Sequence, residues 1–263
     1  MHIRNVIKRF RDLRYSLTGS PIKENIAFIH IPKCAGTTIS QGVEKFFLSP
    51  YVVELNAYAA LETAKFLGSS DAELRLNTLT YELMNPPKTT KHGKFVTGHW
   101  RCNKKTISHF PNWFFMTILR NPENRFLSHF FFNRALKDSH YKIPEEMSLS
   151  EFLETKSAEN LKGTYIKNFT NRSEVNNDAI NEACEVLERM NLIGIVENLN
   201  AFVNSFKRKF GADLPLKMLN KNPVPYHKQK KEFSLSDIQK IKEICKPDQI
   251  VYQHALNLTQ KSC

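Results

Sequence analysis

The sequence predicts an α/β fold of three layers, in which a central, mostly parallel sheet carries helices on both faces. Short apolar runs recur along the chain, each followed by a polar or glycine-containing loop, and helical patterns lie between them. The most distinctive polar residues sit in the loops directly after those runs, where open α/β sheets bind their ligands.

The strand-like runs are Ile26–Ile31, Phe95–Gly98, Trp113–Leu119 and Leu192–Val196. Helical periodicity is best at Thr37–Phe47, Ala72–Met84, Pro122–Lys137, Asn177–Met190 and Leu199–Phe210. Two further stretches lie at Ser236–Cys245 and Asp248–Thr259. Asn220–Lys231 is rich in Pro, Asn and Lys and reads as a basic loop rather than a linker. With 263 residues, 41% of them hydrophobic, the chain can bury a full core. We divide it into a basic lead-in, residues 1–24, and one domain, residues 25–263.

No run approaches the roughly 18 apolar residues of a membrane span, and the N-terminus lacks the apolar stretch of a signal peptide. Residues 1–17 allow two readings, a solvated lead-in or a basic amphipathic helix making peripheral contact with an anionic membrane; the first is preferred. The net charge of +12 calls for an anionic partner without choosing among nucleic acid, polysaccharide, phosphorylated cofactor and lipid. The five cysteines include no C-x-x-C pair, so a reducing, cytoplasmic location is expected, and the triplets at Asn168, Asn171 and Asn257 carry no weight there.

The clearest chemistry is in NIAFIHIPKCAGTTISQGVEKFF, where an apolar strand ends in a short loop that opens into a helix. The first amides of a helix have no internal acceptor and face the positive end of its dipole, so a phosphate is well held there. Gly36 admits the backbone, Thr37 and Thr38 add hydroxyls, and Lys33 adds a mobile charge. The common nucleotide loop GxxxxGK[ST] places its Lys after the second Gly, whereas Lys33 precedes Gly36. Cys34 in this loop is expected to be a small buried filler rather than a nucleophile.

A second constellation follows the strand WFFMTIL, which runs into Arg120, with Pro122 where a helix begins. A magnesium-nucleotide enzyme should end a core strand in an acid; a guanidinium there suits a phosphate instead. Ser128 lies about two turns on, and Arg125 either joins the anion site or pairs with an acid as a brace. His99, at the end of FVTGHW, is a candidate general base, while His30 lies within the first strand as a packing residue. Glu197, the remaining strand-terminal acid, is explained as a cap of the helix that follows.

Together IPKCAGTT, TGHW and LRNPENRFLSHFFF resemble the nucleotide-sulfate sulfotransferases, particularly the branch of heparan sulfate 2-O- and related carbohydrate sulfotransferases; NLKGTYIKNF and LIGIVENLNAFV are weaker echoes. The resemblance implies a P-loop-like fold, 3′-phosphoadenosine 5′-phosphosulfate as donor, no metal requirement, and a hydroxyl acceptor, a carbohydrate or other molecule that can itself be anionic. It implies further that Pro32, Lys33, Cys34, Ala35, Gly36, Thr37 and Thr38 form the 5′-phosphosulfate loop, with Lys33 polarising the bridge. Arg120 and Ser128 would grip the 3′-phosphate, Lys221 would close over the nucleotide, and His99 would be the base. Lack of an anchor and of paired cysteines departs from the Golgi members. Two alternatives stand beside this reading, a kinase-like phosphotransferase and a basic polyanion-binding protein; binding to nucleic acid is not expected, because charge alone does not explain two phosphate motifs and a histidine at strand ends.

Overall fold

The computed structural model describes residues 2–55, 84, 91–136, 142–170, 172–216 and 233–261. Its first element is a helix, α1 (His2–Thr18). On one face of this largely exposed helix, Arg11, Asp12 and Tyr15 hydrogen-bond to residues 44, 45 and 49 of the body.

Strand β1 (Asn25–Ile29) follows, with Ile26 to Ile29 fully buried. Successive side chains of a strand point to opposite faces, so burial of all four means that both faces of the sheet are covered there. The chain continues through α2 (Gly36–Val43), β2 (Val52–Leu55), β3 (Phe95–Gly98), α3 (Lys104–His109), β4 (Trp113–Leu119) and α4 (Pro122–Arg134). Three short helices come next, α5 (Leu149–Leu153), α6 (Lys156–Glu159) and α7 (Thr164–Phe169). Then follow α8 (Asn177–Glu188), β5 (Leu192–Ile195), α9 (Leu199–Phe210) and α10 (Leu235–Lys261).

The five strands lie in the order β2-β3-β1-β4-β5, and every pairing is parallel. This is the α/β sheet with surrounding helices that the alternation predicts. Its consequence for function lies in the centre of the order. β1, which feeds the Lys33 loop, has the His99 strand on one side and the Arg120 strand on the other, with Ile29 paired to both Gly98 and Thr117. The three polar loops therefore leave neighbouring strands at one edge.

Several boundaries differ from expectation. β1 stops at Ile29 rather than Ile31, because the chain turns after the His30 amide donates to the Gly98 carbonyl at 3.0 Å. β2 pairs at the sheet edge beside β3; its four residues, VVEL, are too short to signal a strand. The short helix α3 begins where the Asn103 side chain accepts from the Thr106 amide. The two C-terminal helices are one. Pro247 removes one ladder donor, yet the helix runs through it because Cys245, Val251, Tyr252 and Ala255 are buried on both sides of it. Residues 72–83 of the expected Ala72–Met84 helix lie outside the described residues.

The helix α10 does more than cover the sheet. Asp248, fully buried beside Pro247, accepts from the amides of Thr164 and Tyr165 at 2.9 Å each, capping α7, and lies 3.9 Å from the buried Arg125. Arg125 also donates to the Leu161 carbonyl at 3.2 Å. Of the two roles open to Arg125, the geometry gives it that of brace, joining α4, α7 and α10. Removing one member of a buried pair strands the other, so Asp248→Ala should lower unfolding free energy by roughly 3–5 kcal/mol in denaturant titration. A loss below about 0.5 kcal/mol, as for a surface substitution, would contradict this brace.

Candidate active site

The loop between β1 and α2 is built from an unusual backbone. Lys33 and Ala35 both have left-handed φ, 68° and 58°, which costs a residue with a side chain on the order of 1–3 kcal/mol. Such steps alternate with right-handed ones to turn consecutive amides inward into a cup for an anion. Here the cup opens onto the first turn of α2, where the Gly36 and Thr37 amides lie beyond the reach of helical acceptors, while those of Thr38 and Ile39 already donate to Ala35. Pro32 and Thr37 are half-buried, and Thr38 is almost wholly buried.

Gly36 is required by its neighbour. A Cβ at this position would come within 1.8 Å of the His30 ring, so the imidazole occupies the space a side chain would take. His30 stacks on Phe28 and is held neutral, its pKa lowered to about 3 by burial first, then by His99 and Lys33. It is a packing residue, as expected, and one that shapes the loop.

On one flank, His99 leaves β3. Its ring lies 4.4 Å from that of His30, and its Nδ1 is 2.6 Å from the His30 carbonyl oxygen. A carbonyl only accepts, so Nδ1 carries the proton and Nε2 is the basic nitrogen of the neutral ring. The backbone thus sets the tautomer.

On the other flank, Arg120 leaves β4 with its Nη1 3.4 Å from the Lys33 carbonyl. The Lys33 ammonium rests on the face of Phe132, 3.2 Å from the ring centroid. Burial, helped by Arg120, lowers the Lys33 pKa to about 8. Ser128, buried, lies one helical turn before Phe132 on the same side of α4. Lys33, His99 and Arg120 are brought together around β1, and Ser128 lies on the helix that Lys33 reaches. Cys34 faces inward, with Sγ 3.8 Å from the Tyr165 hydroxyl, its amide turned to Ile31, and its pKa raised to about 11 by burial. Lys221 lies outside the described residues.

Sequence reasoning missed Tyr165 and Tyr252 and misread Glu197, which together hold the backbone of Arg120 and Asn121. The buried Tyr165 donates its hydroxyl proton to the Arg120 carbonyl and accepts from the Arg120 amide at 3.2 Å. The next amide, Asn121, donates to Glu197 at 3.0 Å, and Tyr252 donates to the same carboxylate at 3.1 Å. Glu197 is therefore no helix cap; α9 begins without a side-chain cap. Tyr165 stands in the NLKGTYIKNF echo, which was the available signal. Phe132, the seat for Lys33, hides in a run of phenylalanines that reads as core.

The strand-end site is distinct from a cavity of about 670 Å³ lined by Phe114, Leu192, Gly194 and Phe202. No family model matches the chain, and no curated protein does. Among solved structures, a mouse sulfotransferase, SULT7A1 complexed with PAP, is similar at 15% identity. The match covers 92% of this chain and 90% of that one, with a TM-score of 0.46.

The contact between Gly36 and His30 makes a prediction about folding. Gly36→Ala should overpack the loop and cost about 1–3 kcal/mol, although Gly36 has ordinary helical φ. Adding His30→Ala should recover part of that loss, a favourable coupling in a double-mutant cycle of thermal or denaturant stability. Strict additivity of the two would show that the imidazole does not occupy that space.

Proposed function

We propose that this protein transfers a sulfuryl group from 3′-phosphoadenosine 5′-phosphosulfate to a hydroxyl, with a carbohydrate the acceptor class that the motif resemblance favours. The observation that carries the reading is the meeting of three chemistries beside β1. The Lys33 loop with its left-handed steps suits the 5′ end of the donor, Arg120 suits a 3′-phosphate, and His99, its Nδ1 bonded to the His30 carbonyl, keeps Nε2 as the basic nitrogen.

In this reading the amides of Gly36 and Thr37, with the hydroxyls of Thr37 and Thr38, hold the 5′-phosphate. Arg120 and Ser128 hold the 3′-phosphate. His99 Nε2 takes the acceptor's proton as the acceptor oxygen forms its bond to sulfur. The bond from sulfur to the bridging oxygen breaks in line, and the electron pair leaves with the nucleotide phosphate, where the Lys33 ammonium offsets the growing charge. An ammonium resting on an aromatic face is partly desolvated, so its attraction for an anion that enters beside it is stronger than in open water.

Two measurements test this. Arg120→Ala and Ser128→Ala should each weaken adenosine 3′,5′-bisphosphate by roughly 1.5–3 kcal/mol in calorimetric titration and leave adenosine 5′-phosphate almost unchanged, because a charge-assisted contact to the 3′-phosphate is lost. Equal weakening of both nucleotides would contradict the assignment.

The second is the pH profile of kcat/KM, which reports the free enzyme. Transfer needs Lys33 protonated, so with its pKa lowered to about 8 the rate should fall as pH rises through that value. Lys33→Arg, charged throughout, should abolish that limb. The acid limb should belong to His99, because an imidazolium cannot take the acceptor's proton. His99→Ala should cost about 10²–10⁴-fold in kcat and remove the acid limb, with nucleotide affinity retained. An alkaline limb unmoved by Lys33→Arg, or near-native turnover in His99→Ala, would overturn the roles given to them.

A further inference from the structure

Helix α1 docks with the face that a surface helix normally turns to solvent. Its body contacts are polar. Arg11 reaches the Ser49 hydroxyl at 2.8 Å and the Glu44 carbonyl at 3.4 Å, Asp12 accepts from the Ser49 amide, and Tyr15 donates to the Lys45 carbonyl. Lys91 closes the C-terminal end on the carbonyls of Ser16 and Leu17. The roll of the helix is thereby set with its apolar stripe outward. Val6, Phe10, Leu13 and Leu17, at three- and four-residue spacing, are 49, 70, 60 and 71% exposed.

Left largely exposed, this stripe gains little from the fold of its own chain, and an exposed contiguous apolar face marks a partner surface. Charge decides which partner. The helix holds five Lys or Arg residues and one acid, Asp12, which is spent on the docking face. At 100° per residue, the exposed Arg9 and Arg14 fall on opposite borders of the stripe, with no acid on that side. A second copy of α1 laid against this face would set arginine rims against arginine rims. A surface with apolar depth and negative headgroups complements both features. No described helix is long and apolar enough to cross a membrane, so contact would be from one side.

We propose that α1 is an interfacial helix that sinks Val6, Phe10, Leu13 and Leu17 into the surface of an anionic lipid bilayer, with Arg9 and Arg14 at the headgroups. This goes beyond the sulfuryl-transfer reading and does not depend on it. The test is flotation of the full chain with vesicles of phosphatidylcholine alone or an equimolar mixture with phosphatidylglycerol. The native chain should float with the mixed vesicles and largely remain behind with the neutral ones. Phe10→Glu with Leu17→Glu, both far from the site and exposed, should reduce binding at least about tenfold without changing thermal stability or nucleotide affinity. Arg9→Gln with Arg14→Gln should cost roughly tenfold and flatten the salt dependence. Equal flotation of native and double-Glu chains, or equal binding to the two vesicle types, would overturn the proposal. So would absence of flotation together with a concentration-dependent dimer that the double-Glu change dissociates.

Discussion

A buried phenol holds both backbone groups of Arg120, and the strand-end site depends on that grip. Tyr165 takes the amide and the carbonyl of the residue at which β4 gives out, where no neighbouring strand remains to pair them. Burial keeps the phenol protonated, so it can donate and accept at once. Tyr165 is itself held from below, because Asp248 of α10 binds the first amides of α7. At Asn121 the amide alone is held, by Glu197, whose carboxylate accepts from Tyr252. The guanidinium is thus mounted on a backbone anchored to the C-terminal helix, a rigid support of the kind that anion recognition requires.

The other half of the site is shaped by exclusion. His30 fills the space above Gly36, leaves no room for a Cβ, and presents its carbonyl to His99. One residue thereby sets the loop's closeness of approach and the tautomer of the proposed base. Lys33 is poised differently. Its left-handed backbone and its seat on Phe132 keep a partly desolvated ammonium beside Arg120, two cations that gain most when an anion enters between them.

The parallel sheet was legible because its strands are nearly uninterrupted apolar runs, and Leu199–Phe210 and Trp113–Leu119 coincide with their elements end to end. That the loop at Lys33 to Thr38, Arg120 and His99 would meet at one edge of the sheet was legible because each directly follows an apolar run. β2 was not, since four residues at a sheet edge carry too little pattern. Nor were Tyr165 and Asp248, whose roles arise from contacts across 45 and 83 positions of chain. The polarity of α1 was readable as amphipathic, but its roll was not, because three hydrogen bonds to residues more than 25 positions away decide which face is covered.

In the sulfuryl-transfer reading, the loop after β1 and the loop after β4 grip the two ends of one nucleotide. A crystal structure of the chain with adenosine 3′,5′-bisphosphate tests it most directly. The 5′-phosphate should sit on the Gly36 and Thr37 amides with the Lys33 ammonium lifted from Phe132 toward it, and the 3′-phosphate should lie against Arg120 and Ser128. A nucleotide bound elsewhere, or one whose 3′-phosphate points away from Arg120, would contradict the claim.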